Sequence, residues 1–189
     1  MDALMIALVV ALLAQGPGRV AALAAQTTDR TGRPPAVMLG VLTAQLIVVG
    51  LAVQLGVTIA PSLTPETRTL LLGLAIGLAG AGLLGRLPPR ASPFGSPRLG
   101  AFGTALLGGG AIMLADSPAF VIAMAAARSS LPWAALPGAL IGTAGAVLPA
   151  ILLGERGWRH LPLRLIRIGG GAVMLLAGAI IALSARGLI

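Results

Sequence analysis

Six apolar runs, near residues 3–25, 36–58, 69–85, 101–127, 133–153 and 168–185, occupy most of this chain. Each is close to the ~20 residues that cross the hydrocarbon of a bilayer as a helix. Only 10% of the residues are charged, against about 25% in a soluble domain. So little polar surface cannot cover a water-soluble globule, and disorder needs the opposite composition. The runs do not alternate with period two, as ten-residue strands of a membrane barrel do. Breakers separate them: Gly32-Arg33-Pro34-Pro35, Pro61 to Pro65, Pro88-Pro89 with Pro93 and Pro97, Pro132 and Pro162. The predicted fold is all-α and integral to the membrane, with six transmembrane helices.

Charge adds direction. The 13 basic residues are all Arg, and the acids are Asp2, Asp29, Glu66, Asp116 and Glu155. Nearly every Arg lies between apolar runs, which suits anchoring and orientation rather than nucleic acid. Loops 1–2, 3–4 and 5–6 carry Arg30, Arg33, Arg86, Arg90, Arg98, Arg156, Arg159, Arg164 and Arg167; the other side has Arg68, Arg128 and Arg186. The positive-inside rule then places both termini outside the cytoplasm and the 86–100 segment inside. Arg without Lys in an Ala- and Gly-rich chain fits a GC-rich genome, and the expected location is a bacterial inner (plasma) membrane. No basic residue precedes the first run, and Pro17 and Arg19 interrupt it, so it reads as a span rather than a cleaved signal. The Glu155–Arg167 segment reads as an anchoring, orienting loop.

The chain repeats itself. A shift of 98 residues puts Arg30 on Arg128, Pro34 on Pro132, Gly40 on Gly138, and Leu78-Ala79-Gly80-Ala81 on Leu176-Ala177-Gly178-Ala179. The reading is a duplicated three-helix unit, 1–91 and 99–189, joined by a linker at 92–98. Three is odd, so the second unit sits upside down on the first. Inverted repeats with broken helices near the midplane are a transporter signature.

Two ionisable residues fall within apolar runs: Arg19, in Gln15-Gly16-Pro17-Gly18-Arg19, and Asp116, in Met113-Leu114-Ala115-Asp116-Ser117-Pro118. A charge near the bilayer centre costs at least ~2.5 kcal/mol, so it faces a partner or a wet cavity. Each lies beside a proline. Pro17 cannot bond the carbonyl of Leu13, nor Pro118 that of Leu114, and both carbonyls become candidate ligands at a kink. Arg19 and Asp116 are expected near one another, with Gln15, Ser117 and these carbonyls around them. Gln45 and Thr143 fall on each other under the shift. They either line a central cavity or bond between helices, as Gln54 also can. There is no Cys, and His160 is the single His. No Gly-x-Ser-x-Gly, Walker loop or dinucleotide fingerprint is present, so neither enzymatic activity nor a cofactor is expected.

These residues resemble the GDT family of calcium/manganese–proton exchangers, related to the lysine-exporter superfamily. Its members have two inverted three-helix units. Each unit carries Glu-x-Gly-Asp-(Lys/Arg)-(Ser/Thr), then an Ala-rich stretch and often Arg-x-Gly-Arg-Pro. Here Arg30-Thr31-Gly32-Arg33-Pro34 matches that tail. Counting back aligns Gln15-Gly16-Pro17-Gly18-Arg19-Val20 with the first motif and Met113-Leu114-Ala115-Asp116-Ser117-Pro118 with the second. Gly154-Glu155-Arg156 and the Leu161–Gly169 stretch are also similar to bacterial members. The resemblance implies a secondary transporter that exchanges a divalent cation, such as manganese or calcium, for protons. Asp116 and Gln15 then stand in the metal-ligand positions, and Arg19, Ser117, Pro17, Pro118, Gln45 and Thr143 lie along the ion pathway. Of the family's four motif acids this chain has Asp116; Gln15, Gly18 and Met113 stand at the others. Two alternatives stay open. Gln15-Gly16-Pro17-Gly18 is similar to the first helix of lysine-exporter-like metabolite exporters, for which a neutral site suits a zwitterion. The other alternative is a non-transporting membrane scaffold.

Overall fold

The computed structural model describes residues 2–85 and 99–185. The 92–98 linker, together with Arg86, Arg90, Arg98 and Arg186, lies outside the described residues. Eight α-helices follow in order: α1 (Asp2–Gln15), α2 (Arg19–Thr31), α3 (Pro34–Ile59), α4 (Pro65–Leu84), α5 (Gly100–Ala115), α6 (Pro118–Arg128), α7 (Ala135–His160) and α8 (Leu163–Ser184). Several begin at a proline, whose missing N–H costs nothing in a first turn. Before α4, the Thr64 hydroxyl accepts the Thr67 N–H at 3.3 Å.

Among the described residues, four helices are long and apolar enough to cross a membrane: α3, α4, α7 and α8. Two bent pairs also qualify, α1 with α2 at 61° and α5 with α6 at 68°. The fold is therefore all-α, with four to six candidate spans. The core is built from small side chains, including Ala7, Ala11, Val49, Val53, Ala125 and Ala139. Many of the large aliphatic ones face outward, with Leu39, Leu51 and Leu55 on α3 and Leu152 on α7 all exposed, while Leu72 and Ile122 are buried. A water-soluble protein does the reverse. Small residues inside and Leu outside suit lipid, where tight backbone approach holds helices together.

The packing has a direction. Leu4, Leu8 and Leu12 of α1 lie against Gly138, Gly142 and Gly145 of α7 in ascending order. The track continues on α2, where Ala21 and Ala25 cluster with Ala150 and Trp158. The bent pair thus follows α7 one way along its length, whereas a re-entrant hairpin would turn back. α5 and α6 follow α3 in the same manner: Gly40 meets Phe102, Ala44 meets Gly109 and Gly110, and Gly56 meets Ala123. α4 and α8 instead cross in opposite directions. A Cβ on Gly73 would stand 2.6 Å from the Ala182 nitrogen, and one on Gly80 2.7 Å from the Gly171 carbonyl. Only glycine admits that approach.

The stretch after the fifth apolar run differs from the expected loop. Residues 155–160 are helical and belong to α7, which turns at Gly154 with φ +65. That left-handed conformation suits glycine. The Asp29 carboxylate on α2 accepts the Glu155 N–H at 2.7 Å and caps the new turn. Trp158 then folds back onto Ala21 and Ala25. α8 starts at Leu163, so Arg167 is a helical and buried residue rather than a loop anchor.

Candidate functional site

Both bent pairs break where the sequence places their charges. At the first break Pro17 has no N–H to donate, and the Gly18 N–H goes to the Gln15 carbonyl at 3.1 Å. α2 restarts at Arg19. At the second, Asp116 takes an extended conformation, φ −94 and ψ 148, and Pro118 opens α6. The two breaks lie side by side at one cavity, with Arg19, Asp116 and Ser117 exposed.

The two breaks face one cavity of about 160 Å³. Pro17, Gly18 and Arg19 line it from the first break, and Asp116, Ser117 and Pro118 from the second. Ala79, Gly82 and Leu83 of α4 form a further wall. Among the described residues Arg19 and Asp116 share this cavity without a direct hydrogen bond or contact ion pair.

Arg167 also lines the cavity, a residue that sequence reasoning assigned to an anchoring loop. Its guanidinium Nε donates to the Leu83 carbonyl at 3.1 Å and an Nη to that of Gly85 at 3.2 Å. It thereby binds the C-terminal end of α4, where the helix dipole favours a cation. In sequence, an Arg just before an apolar run looks like any interfacial anchor. The neighbouring Gly169-Gly170-Gly171 is the available signal of close packing.

Gln15 is not among the residues lining this cavity. It lines a second, much smaller void of about 10 Å³, together with Gln45, Met113, Asp116 and Pro118. Its amide Nε2 donates to Gln45 Oε1 at 3.0 Å, and both side chains are buried. The pairing explains the difference: an amide inside an apolar bundle turns toward the nearest acceptor. Asp116 and Pro118 belong to both spaces, so the two meet at the second break. Thr143 lines neither; it is fully buried and its Oγ1 has no partner.

A hard divalent cation takes six or more oxygen ligands at calcium sites, or a few carboxylates with waters at magnesium sites. The small void offers the carboxylate of Asp116, the amides of Gln15 and Gln45, and the soft thioether of Met113. Among the described residues no group of three His, Cys, Asp or Glu is placed to hold a metal ion. The donor set does not fit manganese or calcium. The larger cavity brings Asp116 together with Arg19 and Arg167.

No protein-family model, curated protein or solved structure matches the chain.

Proposed function

We propose that the protein is a secondary transporter of the inner membrane, built from two inverted three-span units, whose cargo is a small carboxylate or zwitterion. The observation that carries this reading is the meeting of two broken spans at one cavity holding Arg19, Arg167 and Asp116. Irregular backbone at membrane depth is tolerated where it lines a cavity, and transporters place their substrate there.

The packing supports the inverted repeat. The 98-residue shift carries Gly73 onto Gly171 and Gly80 onto Gly178. Gly73 faces Gly178 across the α4–α8 crossing, and Gly80 faces Gly171, so the shift exchanges one contact for the other. It also carries the Gly40–Phe102 contact onto the Gly138–Leu4 contact. Two halves that rock about such a crossing present the central cavity to each side in turn.

The charge set chooses among cargoes. Two guanidinium groups beside one carboxylate repel a bare divalent cation and suit a carboxylate, the geometry that Arg binds best. A zwitterion adds a group for Asp116. This favours the exporter-like alternative over divalent cation–proton exchange. The decisive experiment is flux into proteoliposomes from a panel of amino acids, simple carboxylates, manganese, calcium and protons. Uptake of an amino acid that is lost on Asp116→Asn, or of a carboxylate that survives it, is the expected result. Uptake of manganese or calcium would restore the cation exchanger, and no flux of any member would leave the scaffold reading. Orientation is checked separately. A reporter fused to the C-terminus behaves as exported if both termini lie outside.

A further inference from the structure

The small void at the second break carries an unanswered hydrogen-bond acceptor. Gln15 Oε1 is buried and has no partner, because the amide of the same side chain is committed to Gln45. Burying a carbonyl-type oxygen without a donor costs roughly 1–3 kcal/mol, and native structures rarely accept that. The void beside it, about 10 Å³, is room for one water-sized group. Asp116, from the second break, also lines it. Val48, Val49 and Ile122 close the rest.

We propose that this void is a binding site for a single water-sized hydrogen-bond donor that bridges Gln15 Oε1 and the Asp116 carboxylate. Gln15 Oε1 lacks a donor beside a space too small for more than one heavy atom and its hydrogens, and Asp116 lines the same space. The chemistry is met by a water, or by an ammonium ion with its N–H bonds to both side chains. A methylated ammonium has more than one heavy atom and does not fit. The site therefore discriminates ammonium from its methylated forms. It stands whether or not the protein transports, since it is defined by binding alone.

The test uses the purified full-length protein, with ammonium, methylammonium and tetramethylammonium chloride as probes against equal sodium chloride. If the donor is ammonium, that ion at tenfold its dissociation constant raises the melting temperature by about 3–6 °C. Methylammonium and tetramethylammonium have no effect. If the donor is a water, none of the salts acts, and the infrared difference spectrum between wild type and Gln15→Met contains an O–H band that shifts in oxygen-18 water. In either case Gln15→Met removes the signal, and Gln15→Glu, which keeps the acceptor, retains it. A melting transition in both variants shows that they fold. The proposal is overturned if wild type shows neither ammonium-specific stabilisation nor the isotope-sensitive band, or if Gln15→Met leaves the signal unchanged. Failure of the flux panel does not touch these outcomes.

Discussion

The two breaks have nearly the same geometry and different chemistry. The bends are 61° at α1–α2 and 68° at α5–α6. The first is made by Gly16-Pro17-Gly18 and followed by a cation, Arg19. The second is made by an extended Asp116 with Ser117 before Pro118, and its charge is an anion. The bend depends on where backbone N–H groups are missing, which proline and glycine decide. The chemistry depends on a single side chain placed at the bend. Two breaks of the same shape can thus carry opposite charges.

The charges are the first place to break this comparison. Asp116→Asn removes the only acid that lines the cavity among the described residues and keeps its shape. A hydrogen bond to a charged group contributes roughly 1.5–3 kcal/mol, so flux of an amino-acid cargo should fall by about 30–100-fold. Arg19→Gln should cost less, about tenfold in half-saturating concentration, because Arg167 still presents a guanidinium to the cavity. Equal losses would mean that Arg167 takes no part in binding.

Arg167→Met tests the charge that neither break supplies. It retains an apolar stem but leaves the Leu83 and Gly85 carbonyls without their donor. We expect a stability loss of about 2 kcal/mol, seen as a melting temperature lower by about 4–8 °C. The smallest effects separate the two prolines. Pro17→Ala restores an N–H for the Leu13 carbonyl, which partly heals the first break. Stability should rise by about 1 kcal/mol while flux falls. Pro118 is the first residue of α6, where no N–H is needed. Pro118→Ala should change stability by less than about 0.5 kcal/mol. Circular dichroism and melting curves of the pair check both.

The apolar runs were legible as helices because hydropathy and breaker residues are local. Both breaks were legible for the same reason, since Pro17 and Pro118 act on their own backbone. What depends on distance was not. Gln15 meets Gln45 across thirty residues, and nothing near either names the other. Arg167 resembled an interfacial anchor until α4 ended beside it. The turn at Gly154 rests on Asp29, far earlier in the chain, so Glu155 to His160 read as a loop.

The one-way tracking of α1–α2 along α7, and of α5–α6 along α3, has a consequence for biosynthesis. Helices α1 to α4 leave the ribosome before α7, along which α1 and α2 rest, exists. Until α7 is made, α1 and α2 lack the helix they follow, although Gln45 on α3 already answers the Gln15 amide. Assembly of the pair is thus a late, post-insertion event. Two separately translated halves should each enter the membrane, persist only when made together, and be cleared by membrane proteases when made alone.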